Sequence, residues 1–194
     1  LAADGLAVHA LVTTHLSAAA AMFSWILLEY LKNGKPSLVG ASTGLVAGLV
    51  AITPGAGFVS TWSAVIIGLL VSPVCFYAIA IVKHKLGYDD ALDAFGCHGV
   101  GGIFGGIVTG LFTTPELALD PDNIGLIYGN PRLFLVTIAA IVFTIVWSAG
   151  MTFVLMKGIS FFMPLRVSDR EEVIGLDDTE HGETAYPTFM GLDS

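Results

Sequence analysis

Residues 89–106 read DDALDAFGCHGVGGIFGG. Three aspartates lead into an apolar, glycine-rich run that carries one histidine, His98, and continues through IVTGLF to Phe112. A spanning helix needs about 20 apolar residues, and 93–112 has that length. Working outward, four further apolar stretches flank it, at about 6–31, 37–53, 58–82 and 133–163. The alternation that a β-barrel needs is missing, and hydrocarbon demands internally paired backbone, so the spans are helices. The expected fold class is all-α: a polytopic integral membrane helix bundle, with five transmembrane helices over 1–165 and an acidic tail over 166–194. The stretch 37–53 is short and glycine-rich, so it should pack inside the bundle rather than face lipid. The stretch 133–163 exceeds the bilayer thickness and should tilt.

Composition points the same way. Only 12% of the 194 residues are charged, against about 25% in an average soluble domain, and the mean hydropathy is +0.81. That excludes a typical soluble domain and a disordered chain. Eight Lys and Arg against sixteen Asp and Glu make nucleic acid an unsuitable partner. Cys75 and Cys97 lack metal-ligand spacing, and the chain has no Walker loop, nucleotide fingerprint or nucleophile elbow. No metal, no cofactor and no enzymatic activity are therefore expected. Charge is unevenly placed: residues 169–194 hold eight acids and one base, Arg170, while the body before them is nearly neutral. The first residue is Leu1 with no signal-peptide pattern before it, so a processed N-terminus or a piece of a longer protein is expected.

Orientation follows from the short loops. Lys32 and Lys35, Lys83 and Lys85, and Arg166 and Arg170 fall in alternate connections of a five-span chain. They place the start outside and the tail in the cytoplasm of a multi-pass protein of the plasma membrane.

Glycines recur every four residues at Gly40, Gly44 and Gly48, and again at Gly102, Gly106 and Gly110. Small residues at this spacing let helix backbones approach closely in lipid; some could instead leave room for a narrow conduit. His98 lies inside such a helix. An ionisable group at membrane depth is costly and is by default a functional candidate. Burial favours the neutral imidazole, which both donates and accepts. Gly102 and Gly106, at i+4 and i+8, should leave the space beside it open. The competing reading is a buried histidine bonded to a neighbouring helix. His15 reads as a His–Thr contact to an adjacent helix. Asp89, Asp90 and Asp93 read as first-turn acids that cap the helix, with a proton relay as the alternative. Gly175–Pro187, GLDDTEHGETAYP, is either a solvated tail or a docking segment anchored by Tyr186 and Phe189.

The stretch DDALDAFGCHGVGGIFGGIVTGLF resembles the ammonium transporter family (Amt, Mep and Rh proteins), around the second of its paired pore histidines. AAAAMFSWILLEYLKNGKPSLVGASTGLVAGLVAITPGAGFV resembles the family's seventh and eighth helices, and VWSAG and GLDDTEHGETAYP resemble its last helix and C-terminal motif. The Amt and Mep branch fits best. The resemblance implies the second half, helices seven to eleven, of an eleven-helix ammonium transporter fold, the N-terminal half being absent. It implies that His98 meets a partner histidine of that half in a hydrophobic pore, that Ala94 lines the pore, and that ammonium crosses as ammonia plus a proton. It further implies that Gly175, Asp177, His181, Gly182 and Tyr186 form a tail motif packed beneath a neighbouring subunit of a homotrimer, on a face open to PII-type regulators. Two other functions share these features: an ammonium sensor whose tail signals, and a membrane enzyme subunit relaying protons through His98.

Overall fold

The computed structural model describes residues 2–184, and the chain divides into two compact units, Leu1–Thr144 and Ile145–Ser194. In the first unit, α1 (Gly5–Asn33) starts where the Asp4 carboxylate accepts from the Ala7 N–H at 3.0 Å. It stops at Gly34, whose φ of +76° suits glycine and turns its N–H back onto the Tyr30 carbonyl. Ser37 caps α2 (Leu38–Ile52). Glu29 reaches across the turn to accept from the Ser37 N–H at 2.7 Å, which ties the end of α1 to the start of α2.

Helix α3 (Thr61–Tyr77) passes through a π-helical turn, Ala78–Val82, into α4 (Lys83–Leu86). Pro73 sits inside α3 and cannot donate to the carbonyl four residues back. That carbonyl, Leu69 O, instead accepts from the Ser24 hydroxyl of α1 at 2.9 Å. The proline is tolerated because a neighbouring helix satisfies the freed group. A second π-helical turn, Phe95–Gly99, opens α5 (Val100–Phe112). Val59 and Thr113 form an isolated antiparallel bridge that holds the loop after α2 against the end of α5.

The glycine stripes set the packing. A Cβ on Gly48 would lie 2.6 Å from the Ser17 carbonyl oxygen and 2.8 Å from Ala18 Cα; Gly68 of α3 abuts the same Ser17 carbonyl. Helix α1 is therefore pinched between α2 and α3 at Ser17, backbone to backbone. Hydroxyls stitch the contact: Ser17 donates to Gly48 O at 3.0 Å and Ser72 to Ala21 O at 2.6 Å. Around them Ala21, Ala47, Ala51, Ala64, Ile67 and Val71 make a core of small and branched side chains.

Among the described residues, four helices are long and apolar enough to cross a membrane: Gly5–Asn33, Thr61–Leu86, Phe95–Phe112 and Arg132–Ile159. Helix α2, with 15 residues, rises only about 22 Å, and its stripe of Gly40, Gly44, Ala47, Gly48, Ala51 and Ile52 is buried. Helix α6 (Arg132–Ile159) ends four residues before the Met163 expected from hydropathy. Pro164 follows and disfavours helix in the residue before it, and the chain turns over residues 160–162.

The second unit carries the end of α6, then α7 (Asp169–Ile174). A capping box opens α7: Ser168 accepts from the Glu171 N–H, and the Glu171 carboxylate accepts from the Ser168 N–H at 2.8 Å. A π-helical turn, Asp177–His181, follows.

Candidate functional site

The site is built from the start of the fifth helical segment. Asp90 sits one turn ahead, and its carboxylate accepts from the N–H groups of Ala94 (2.8 Å), Phe95 (3.0 Å) and Gly96 (3.4 Å). These are the donors that a helix start leaves without intrahelical partners, so Asp90 carries the capping expected of the aspartate group. Asp93 adopts a left-handed φ of +55°, a region that Asp enters more readily than most residues. Its carboxylate takes the Lys83 ammonium at 2.7 Å.

The π-helical turn then presents His98. Its ring is exposed and borders an open cleft of about 560 Å³ between α2 and the Leu92–His98 segment. Leu38, Val39 and Val46 give this cleft an apolar wall, Ser42 and Thr43 add two hydroxyls to it, and Asp93, Ala94 and His98 line the other side. Ser42 and Thr43 already donate to the carbonyls of Leu38 and Val39, each at 2.9 Å. Polar capacity in the cleft therefore rests chiefly on the imidazole and on Asp93 at one end. The His98 ring has no hydrogen-bond partner among the described residues.

Some expectations change. Gly102 does leave open space, since nothing lies within 4 Å of a Cβ built there, but Gly106 faces Ile141, whose Cδ1 would be 2.8 Å away. Eight helical residues overshoot two turns by about 80°, which carries Gly106 off the His98 face. Among the described residues, the His15 ring bonds within its own helix and not to a threonine of another: its Nδ1 lies 2.9 Å from Leu11 O. Thr13, two residues earlier, does reach across: it is buried and donates to Ala56 O, in the turn after α2, at 2.5 Å. Cys97 is buried beside the cleft with its thiol toward Thr43 O, and no group of residues suited to holding a metal ion occurs among those described. Reading the sequence missed the Lys83–Asp93 pair and the polar Ser42–Thr43 edge; the only signal for the latter is its place opposite the glycine stripe of α2.

In the tail, Gly175 (φ +111°) ends α7 and Gly182 (φ +66°) ends the Asp177–His181 turn, both at positive φ. This explains glycine at both. Asp177 and His181 are exposed. Tyr186, like Phe189, lies outside the described residues. The Glu171 carboxyl is held below its usual range, chiefly by the Ser168 hydroxyl and then by the Ser168 N–H.

These features define a class: a polytopic α-helical membrane protein whose helices are drawn together by glycines and whose cleft is faced by one imidazole. A family model described as Ammonium Transporter Family matches residues 1–186, and the chain belongs to that family. It is 48% identical over 190 residues to an ammonium transporter of Bacillus subtilis, covering 98% of this chain and 47% of the relative. Among solved structures, Saccharomyces cerevisiae Mep2 superposes with a TM-score of 0.78 at 32% identity, over 85% of this chain and 38% of that one. A structure titled Sensor Amt Protein gives 0.80 at 26% identity, over 91% of this chain and 42% of that one. The chain thus spans about half the length of the relatives it matches.

Proposed function

We propose that this chain forms one wall of the conduction path of an ammonium transporter, with His98 as the polar element of an otherwise apolar passage. The observation that carries this reading is the His98 imidazole, exposed on a cleft between two apolar helices rather than bonded into the bundle. A bare ammonium ion in a dry passage would bear a desolvation cost of several kcal/mol or more, which neutral ammonia avoids. Ammonium therefore gives up its proton before the apolar stretch, ammonia crosses past Ala94 and His98, and the proton crosses separately. A histidine from the remainder of the full-length protein meets His98 across the cleft.

The chain crosses the plasma membrane five times, with α2 as the short second span, its start outside and its tail in the cytoplasm. In a homotrimer the tail motif of Gly175, Asp177, His181, Gly182 and Tyr186 docks beneath a neighbouring subunit, on the face where a PII-type regulator would bind. The activity is transport and not catalysis.

The test is ammonium-driven current in proteoliposomes holding the full-length protein. His98→Ala is expected to abolish the current or alter its selectivity, with the amount of folded protein unchanged. An unaltered current and selectivity would remove His98 from the path. No current from the unmodified protein would favour a sensor on the same fold.

A further inference from the structure

We infer that Lys83 is a positioning residue for His98: its ammonium clamps the loop that sets where the π-helical turn Phe95–Gly99 begins, and so aims the imidazole into the cleft. The inference rests on the transport reading above.

One group makes the clamp. Lys83 Nζ donates to the Asp90 carbonyl at 2.5 Å and to Asp93 Oδ1 at 2.7 Å. Both acceptors belong to the short connection that leads into the His98 segment. Asp90 in turn caps the N–H groups of Ala94, Phe95 and Gly96, and the Asp93 carbonyl accepts from the Cys97 N–H at 2.9 Å. The chain of contacts therefore runs from Lys83 through Asp90 and Asp93 to the backbone of residues 94–97, immediately before His98. The lysine side chain is only 21% exposed and the aspartate's 34%, so this pair is better shielded than a surface ion pair of small worth.

The geometry of the two elements adds a second argument. Lys83 directly follows the π-helical turn Ala78–Val82, and His98 sits within the other, Phe95–Gly99. The two turns touch, since Ile79 fills the space that a Cβ on Gly96 would take. Such turns insert one extra residue and often mark functional sites. A register one residue different would swing His98 about 100° around its helix. Helical propensity does not choose between these registers; the fixed φ of +55° at Asp93 does, and Lys83 holds Asp93.

The test compares Lys83→Met and Lys83→Arg in the reconstituted full-length protein. The readout is the ratio of methylammonium to ammonium flux, which does not depend on how many molecules have folded. Where a site reads a single methyl group, the discrimination is worth about tenfold or more. Lys83→Met is expected to shift the ratio by about that factor, and Lys83→Arg, which keeps charge and donors, to return it to within about threefold. A ratio unchanged in Lys83→Met, or shifted as far in Lys83→Arg, overturns the inference. If flux is too low for a ratio, amide hydrogen exchange at residues 94–96 decides: faster exchange in Lys83→Met but not in Lys83→Arg supports the clamp, and equal protection overturns it. A silent unmodified protein, or a His98→Ala variant with an unmodified ratio, brings down the transport reading and this inference with it. An unchanged Lys83→Met beside a shifted His98→Ala removes this inference alone.

Discussion

Ala94 lies four residues before His98 and borders the same cleft, with its methyl group exposed. On the proposed reading, its contribution to the passage is its small size. Ala94→Leu adds three carbons to the passage without entering the core, so stability should move by no more than about 0.5 kcal/mol. Ammonium flux should fall by about an order of magnitude, the scale on which pocket-lining apolar groups discriminate. Flux per molecule and thermal unfolding, measured on the same preparation, check both halves; a large fall in stability would place Ala94 in packing instead. Thr13 gives the opposite case. It is fully buried and its hydroxyl spans from α1 to Ala56 O in the turn after α2, so Thr13→Val should leave flux selectivity alone and cost about 0.6 to 2 kcal/mol, the scale of one side-chain hydrogen bond between packed segments of a membrane protein.

Among the helices, glycines that look alike in sequence do different work. Gly48 meets the backbone of α1 at Ser17 and Ala18, whereas a Cβ on Gly102 meets nothing within 4 Å. Gly48→Val should push α1 and α2 apart and cost about 1–3 kcal/mol or more. Gly102→Ala should be neutral or stabilise by up to about 1 kcal/mol through helix propensity. Thermal unfolding of the two variants separates them, and equal effects would refute the close-approach account. In α7 the expected effect is one of pH. The Ser168 hydroxyl and N–H lower the Glu171 carboxyl below its ordinary 4.5. A depressed folded value means that the capping box contributes fully above the ordinary range and is lost as pH falls through the folded value. The Ser168 amide resonance should titrate with a midpoint below 4.5, and Glu171→Gln should abolish that titration. The helices and their glycine stripes were legible because a 3.6-residue period and apolar length are local properties. His98 stands out in the sequence as the one histidine within an apolar, glycine-rich run, whereas Ala94 is singled out only by the family resemblance. The Lys83–Asp93 pair was not legible, since it closes a loop through a left-handed aspartate, and periodicity says nothing of loop closure. The two π-helical turns were hidden too: one extra residue in a turn leaves the apolar pattern almost intact.

For the molecule as a whole, the decisive fact is that a polar ring faces outward from an apolar bundle. Exposed Leu, Val and Phe along these helices need no cover, because acyl chains suit them as well as protein does. An exposed imidazole on a candidate spanning helix is different: facing lipid it would be costly, and such groups turn to a bundle interior or a watered cavity. The cleft beside His98 is bounded by α2 and the Leu92–His98 segment on its described sides, and the chain covers 47% of its Bacillus subtilis relative. On the proposed reading, the remaining half of a full-length family member supplies the missing wall. Residues 1–194 alone should therefore insert into vesicles but give no ammonium uptake above empty vesicles. Co-expression with the remainder of the full-length protein as a separate chain should restore uptake, and His98→Ala in this chain should remove it again. Uptake by the isolated chain at the rate of the full-length protein would show that the passage closes without a second wall, and the half-pore account would fall.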